Sequence, residues 1–257
     1  MENWLEREEL LIGKENIDKL KNACVAIFGC GGVGSYAVEA LARAGIGNFV
    51  LVDNDVVDIT NINRQLIADT TTIGKDKVEV EKERILKINP QANVKSYKEF
   101  YSKENSNKLI KENYTYIIDA IDSVTSKILL IQSAHEKGVP IISAMGMGNK
   151  LNPTMIEVSD ISKTEMCPLA KTVRKNLRQI GIQHTKVVYS KEKPHRNDNS
   201  EKNKKTTASI SFVPSTAGLI IASEVVKDII STKYEFWRNI FNNWIKHKRD
   251  KIFKGKS

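Results

Sequence analysis

The chain has 257 residues, 40% of them hydrophobic, three cysteines and a formal net charge of +9. That length buries a sizeable core and suits one large α/β domain; the lack of any apolar run of about 18 residues excludes a membrane-spanning helix, and the charged start MENWLEREEL is no secretory signal. Cys24, Cys30 and Cys167 form no C-x-x-C pair, which excludes a disulfide framework and a four-thiolate zinc site and reads as a protein of the reducing cytoplasm.

In chain order, CVAIF at 24–28 reads as a strand, a helix runs from about 33 to 44 and closes at Gly45, and NFVLVD at 48–53 is the next strand. A helix over about 75–88 stops at Asn89-Pro90, followed by a strand near 93–97, a helix near 104–112 and the strand TYIIDA at 115–120. A helix over 124–137 stops at Gly138, and VPIISA at 139–144 is a further strand. Short apolar strands alternating with helices imply a parallel sheet covered on both faces, so the fold class is α/β, doubly wound and Rossmann-like. Beyond Met145 come a β-like run at 153–159, a basic helix at 168–180, a strand at 184–189 and a helix from about 215 to 230, read as a C-terminal extension of the same sheet within a single domain over 1–257. The polar stretch 190–208 reads as a flexible insert with six Lys/Arg against three Asp/Glu, and the tail 246–257 carries six against one. The net charge therefore sits in one loop and one tail, either as solubilising segments or as contacts for a polyanion. Trp237 and Trp244, seven apart, are expected to pack one face of a last helix.

The chemistry begins at GCGGVG, residues 29–34, where Gly29, Gly31, Gly32 and Gly34 lie between strand and helix, and Asp53 follows Gly34 by nineteen residues at the next strand's end. Glycines let the backbone approach a phosphate, the helix N-terminus offers free N–H groups, and the acid accepts from ribose hydroxyls, so a nucleotide is expected. The glycine turn alone does not choose between NAD and ATP. Asp55, Asn61, Arg64 and Gln65 follow directly, and an NAD enzyme has no use for them; a triphosphate needs cations and a carboxylate carrying Mg²⁺. Arg64 and Lys77 suit the phosphates, and Asp122 in DAIDSV, at a strand end, suits the metal.

These residues resemble the ubiquitin-activating-enzyme-like superfamily, whose bacterial members adenylate carboxylates. The likeness runs from about residue 7 to 230 through R-E-E-L-L-I-G, GCGGVG, D-N-D, N-I-N-R-Q, GKDKVEVEKERILKINP and DAIDS. It implies that Asp53 holds the ribose, that Asn61, Arg64 and Lys77 hold the ATP phosphates with Gln65 in the same loop, and that Asp122 holds Mg²⁺. It also implies that Arg7 reaches the ATP of a partner subunit, hence a homodimer. The paired C-x-x-C zinc motifs of the sulfur-carrier activators are missing, and DAIDSVTSK, SAMGMGNKLNPTMIEVSDISKT, CPLAKTVRKNLRQIGI and FVPSTAGLIIASEVVKDI look like the branch that dehydrates threonylcarbamoyladenosine in tRNA. The resemblance leaves room for a sulfur-relay partner and for a monovalent cation at the 145–153 loop. Activation of a small carrier protein's C-terminal glycine is the alternative within enzymes, and an RNA adaptor that retains the nucleotide fold the alternative outside them.

Cys167 opens a basic helix, where the dipole lowers a thiol pKa, yet a buried or capping cysteine is the commoner outcome. Cys30 is expected to fill space beside the nucleotide. Lys171, Arg174, Lys175 and Arg178 share one helix face, as solvated charges or as contacts to tRNA phosphates. His135 and His184 read as ordinary surface or core histidines.

Overall fold

Strands that are apolar throughout must be covered on both faces, and this chain supplies helices for each. The computed structural model describes residues 3–195 and 207–231; Trp237, Trp244, the tail and most of the insert lie outside them. β1 (Cys24–Phe28), β2 (Asn48–Val52), β3 (Asn93–Tyr97), β4 (Tyr116–Asp119) and β5 (Ile141–Ala144) pair in parallel, with Ala26 opposite Val50 on one side and Ile117 on the other. β7 (Lys186–Ser190) continues the sheet parallel to β5, and β6 (Ile156–Asp160) closes it antiparallel to β7, Val158 facing Val188. The order β3-β2-β1-β4-β5-β7-β6 is the doubly wound α/β arrangement expected, with the second half extending the same sheet.

Alternate residues of each strand serve opposite layers. Val25 and Ile27 face a core with α2 (Lys14–Asn22), α3 (Gly34–Arg43), α4 (Lys77–Ile88) and α8 (Phe212–Ile230), where Leu20, Leu41, Ile85 and Ile221 are buried. Ala26 and Phe28 face the other layer, made by α5 (Ser106–Leu109), α6 (Val124–Lys137) and α7 (Pro168–Gln179) through Leu109, Leu130, Ile131 and Leu177. Asp228 of α8 accepts from the Tyr116 hydroxyl (2.6 Å) and the Lys186 ammonium (2.9 Å), which Glu224 also engages (2.7 Å). The last helix is thereby tied to β4 and β7. No described helix is long and apolar enough to cross a membrane.

Four elements differ from the sequence reading. The helix expected over 104–112 is a single turn, because Ile110 leaves it in extended conformation (φ −108°, ψ 124°) and is buried beside Leu109. The run at 153–159 starts as a 3₁₀ turn, Pro153–Met155, capped by Asn152, and is strand only from Ile156. Two N-terminal helices, α1 (Glu6–Ile12) and α2, were not read at all, since Gly13 at φ +83° splits the segment into pieces of seven and nine residues.

Candidate active site

Strand order reverses between β1 and β4, and at that switch point the carboxyl ends of the strands frame a cavity of about 490 Å³. Its wall after β1 is the glycine turn. Gly29 has φ +94°, and a Cβ there would stand 2.6 Å from the Ala120 carbonyl oxygen; a Cβ on Gly34 would stand 1.8 Å from the Gly29 carbonyl oxygen. The turn can thus fold onto the β4 exit and start α3 only with glycine at both places. Ser35 donates to the Gly31 carbonyl (2.7 Å) and accepts from Leu66 N–H (3.2 Å), joining this turn to the 61–66 loop.

Asp53, just past β2, braces two loops: one carboxylate oxygen accepts from Cys30 N–H (2.7 Å), the other from Asp55 N–H (2.8 Å). Burial raises its pKa, against the lowering effect of those two bonds, and each oxygen keeps a lone pair for a ribose hydroxyl. Lys77, first residue of α4, is only 5% exposed and pairs with the open carboxylate of Asp55 at 2.8 Å. Arg64 gives one guanidinium nitrogen to the Thr60 carbonyl (2.8 Å) and the Asn63 side chain (2.9 Å), and forms no described ion pair. Asn61 spends its side-chain oxygen on Asp58 N–H at 3.2 Å. Gln65, buried, has a side-chain oxygen with no hydrogen-bond partner among the described residues. The two aspartates of DAIDS differ: Asp119 is sealed, whereas Asp122 is exposed, lines the cavity and makes no described hydrogen bond or ion pair.

Gly29, Gly31, Gly32, Asp53, Asp55, Asn61, Arg64, Gln65, Lys77 and Asp122 all line this one cavity. Gly34 stands behind it, holding the turn's shape. Arg7 does not line it: it is exposed on α1, the helix that leaves Leu10 and Leu11 each 84% exposed. Sequence reasoning missed the apolar wall. Phe28 and Tyr101 meet edge to face, 5.1 Å between centroids, and Phe100 and Val52 lie beside them. The Tyr101 hydroxyl donates to Ser133 (3.1 Å), and burial pushes its pKa up to about 12, so it stays protonated. Gly148, Thr207 and Ser209 form the far rim, where Ala208 and Asn149 exchange a backbone bond of 2.7 Å and a side-chain bond of 2.9 Å. The 145–153 loop is held by protein groups: Lys150 donates to the Ser190 carbonyl (3.1 Å), and Glu192 accepts from Leu151 and Asn152 N–H.

Glu81 was missed too. It is wholly buried on α4, neither carboxylate oxygen has a hydrogen-bond partner among the described residues, and burial, with the charges of Glu39 and Asp53, pushes its pKa well above the ordinary range. Cys30 is sealed in the core under the turn, as expected of a space-filling residue, and burial raises its thiol pKa. Cys167 is buried at the α7 N-terminus without a capping bond and lies off the cavity. Of the four basic residues on α7, Arg174 is spent on the Thr164 hydroxyl (2.6 Å) and the carbonyls of Thr164 (2.8 Å) and Ile161 (3.3 Å), which leaves Lys171, Lys175 and Arg178 exposed. His135 bonds Thr185 and His184 meets Asp160, ordinary roles for both.

The set suits ATP with one divalent ion. A buried cation, a second cation at the rim, backbone N–H groups and an orphan amide oxygen are what a ribose and polyphosphate would use. Among the described residues no three His, Cys, Asp or Glu side chains are grouped so as to hold a metal ion. Asp122 alone would hold Mg²⁺, and Mg²⁺ takes its remaining ligands from phosphates and water.

A model of the ThiF family matches residues 5–254. The tRNA threonylcarbamoyladenosine dehydratase of Bacillus subtilis is 45% identical over 237 residues, 87% of this chain and 93% of that protein. The Haemophilus influenzae protein of the same name is 44% identical over 165 residues, 64% of this chain and 63% of its own. The crystal structure of the Escherichia coli tRNA N6-threonylcarbamoyladenosine dehydratase in complex with ATP superposes with a TM-score of 0.82 at 33% identity, covering 90% of this chain and 96% of that one.

Proposed function

The chain belongs to the ThiF family, and we infer from this that it is an ATP-dependent enzyme that dehydrates threonylcarbamoyladenosine in tRNA to its cyclic form. The observation that carries the reading at this site is the convergence of the glycine turn, Asp53, Arg64, Lys77 and Asp122 on one cavity. A carboxylate resists attack because its leaving group would be oxide. In the first step the threonyl carboxylate oxygen attacks the α-phosphorus in line, the bond to pyrophosphate breaks, and a mixed anhydride with AMP forms. The turn's N–H groups, Arg64 and Lys77 hold the phosphates and stabilise the departing charge, while Asp53 and the Phe28–Tyr101 wall fix ribose and base. Asp122 would hold Mg²⁺, which would supply further charge neutralisation at the pyrophosphate. In the second step the substrate's carbamoyl group attacks the acyl carbon, AMP leaves with the anhydride oxygen, and the carbamoyl proton passes to solvent. The two steps remove one water from the nucleoside. Ring closure is intramolecular and needs no protein nucleophile, consistent with Cys167 lying buried away from the cavity.

The exposed Lys171, Lys175 and Arg178, with the basic insert and tail, suit the tRNA backbone. A homodimer is part of the proposal: Arg7 lies off its own cavity, and the uncovered Leu10 and Leu11 beside it suit a second copy. The working place is the cytoplasm, with its tRNA. The test is to incubate the protein with threonylcarbamoyladenosine-containing tRNA, ATP and Mg²⁺ and weigh the released nucleoside. Loss of one water with stoichiometric AMP is expected. ATP turnover only with a carrier protein ending in Gly-Gly would transfer the assignment to carrier activation.

A further inference from the structure

Beneath the cavity floor lies a polar cluster that the reaction does not use directly. Asp119 ends β4, Ser143 sits opposite it on β5, and Lys127 comes from the second turn of α6; all three are wholly buried. The Lys127 ammonium has three acceptors: Asp119 Oδ2 at 2.8 Å, the Ala144 carbonyl at 3.0 Å and Ser143 Oγ at 3.4 Å. Ser143 donates its proton to the same Asp119 oxygen. The other oxygen, Oδ1, accepts from Ile121 N–H at 3.1 Å, inside the turn that ends at Asp122, while Ala120 N–H is fixed to the Phe28 carbonyl at 2.8 Å.

A buried ion pair is weak ground for stability, since apolar side chains of the same volume serve a core as well or better. What this pair adds is direction. It locks Asp119 so that one oxygen must serve the turn carrying Asp122, and it straps that turn to the exit of β5. We propose that Lys127 is a positioning residue, acting through Asp119 to set the Asp122 carboxylate toward the phosphates of bound ATP. The proposal rests on Asp122 holding the metal, so Asp122→Asn is measured in parallel.

The experiment reads Mg²⁺–ATP coupling without tRNA: calorimetric ATP affinity with Mg²⁺ and with EDTA, for the wild type, Lys127→Met and the uncharged double variant Asp119→Asn/Lys127→Met. The double variant leaves no unpaired buried charge and is expected to melt within about 4 °C of the wild type. Its Mg²⁺-free ATP affinity should stay within about twofold, while the tightening by Mg²⁺ falls about tenfold, the size found for groups that orient metal ligands. Wild-type tightening in the double variant overturns the proposal. Should that variant not fold, Ser143→Ala keeps both charges and removes the hydroxyl that donates to Asp119 and accepts from Lys127; a loss of about twofold or more in the same coupling, the size of one hydrogen bond, supports the role, and an unchanged value overturns it. If Asp122→Asn itself retains wild-type coupling, the metal assignment fails and the proposal falls with it; impaired Asp122→Asn beside a normal double variant sinks the positioning role alone.

Discussion

Asp55→Asn is the change that most directly tests whether the buried ammonium of Lys77 is a phosphate ligand. Without nucleotide that ammonium is satisfied by Asp55 at 2.8 Å, and the Asp55 side chain is 57% exposed. A fully buried partner lost would strand a charge at about 3–5 kcal/mol, and a fully exposed one at under about 1 kcal/mol. This pair lies between, so about 1–2 kcal/mol of neutralisation is removed by the asparagine, which keeps the shape and can still accept a hydrogen bond. The backbone bonds of Asp55, its N–H to Asp53 and its carbonyl from Lys77 N–H, are untouched. The loss falls on the free protein alone, because a triphosphate at Lys77 restores the neutralisation, and the repulsion between Asp55 and ATP disappears as well. ATP binding in EDTA should therefore tighten about 5- to 30-fold, while the melting temperature without ATP falls by about 2–4 °C for each kcal/mol lost. Calorimetry and a thermal melt on one preparation give both numbers. An affinity that is unchanged or weaker would show that Asp55 itself holds the nucleotide, or that Lys77 does not, and would refute the reasoning.

Asp122→Asn should fold normally and lose Mg²⁺-dependent turnover by about a hundredfold or more, read as AMP release with modified tRNA; a wild-type rate would remove the metal role. Gly34→Ala puts a methyl 1.8 Å from the Gly29 carbonyl oxygen, so the turn must open; ATP binding should vanish and stability drop by about 1–3 kcal/mol, and intact binding would contradict the turn geometry. Glu81→Met should stabilise by about 1–3 kcal/mol near neutral pH, because it removes a buried group with no partner. Folding raises the pKa of Glu81 above its ordinary 4.5, so the folded state binds a proton the unfolded chain releases; the glutamate's disadvantage therefore grows as pH rises above about 4.5, and a melting-temperature gap that is flat from pH 4 to 8 would rule this out.

Most of the fold was legible because its signals are local. Strands such as CVAIF and YIID need no partner to declare themselves as buried, and Gly138, at φ +67°, ends α6 where the sequence placed the stop. The failures have equally local causes. α1 and α2 are too short on either side of Gly13 for a 3.6-residue period to register, and α5 stops where Ile110 turns extended and is buried. The glycine turn proposed to face the phosphates was legible because only glycine permits the backbone contacts at 29 and 34. The Phe28–Tyr101 wall was not, since aromatic residues at strand ends and in loops look like any other core side chains until the sheet brings them together.

The buried charges were half legible, and the two instances separate what pattern can say from what it cannot. Val78, Glu81 and Ile85 follow helical spacing, as do Lys127, Leu130, Ile131 and Ala134; in each series one ionisable residue occupies a place on the apolar stripe and is wholly buried. Burial is therefore written in the sequence, whereas partnership is not. It depends on which strands arrive at that depth: β4 and β5 bring Asp119, Ser143 and the Ala144 carbonyl to Lys127, and no described residue brings a donor to Glu81. The same replacement must then act oppositely. Methionine at 81 removes an unsatisfied acid and stabilises, while methionine at 127 alone leaves the Asp119 carboxylate buried without its cation and destabilises until Asp119 is neutralised too. Melting curves for Glu81→Met, Lys127→Met and Asp119→Asn/Lys127→Met decide it, and equal signs at 81 and 127 would mean that partnership does not govern these sites.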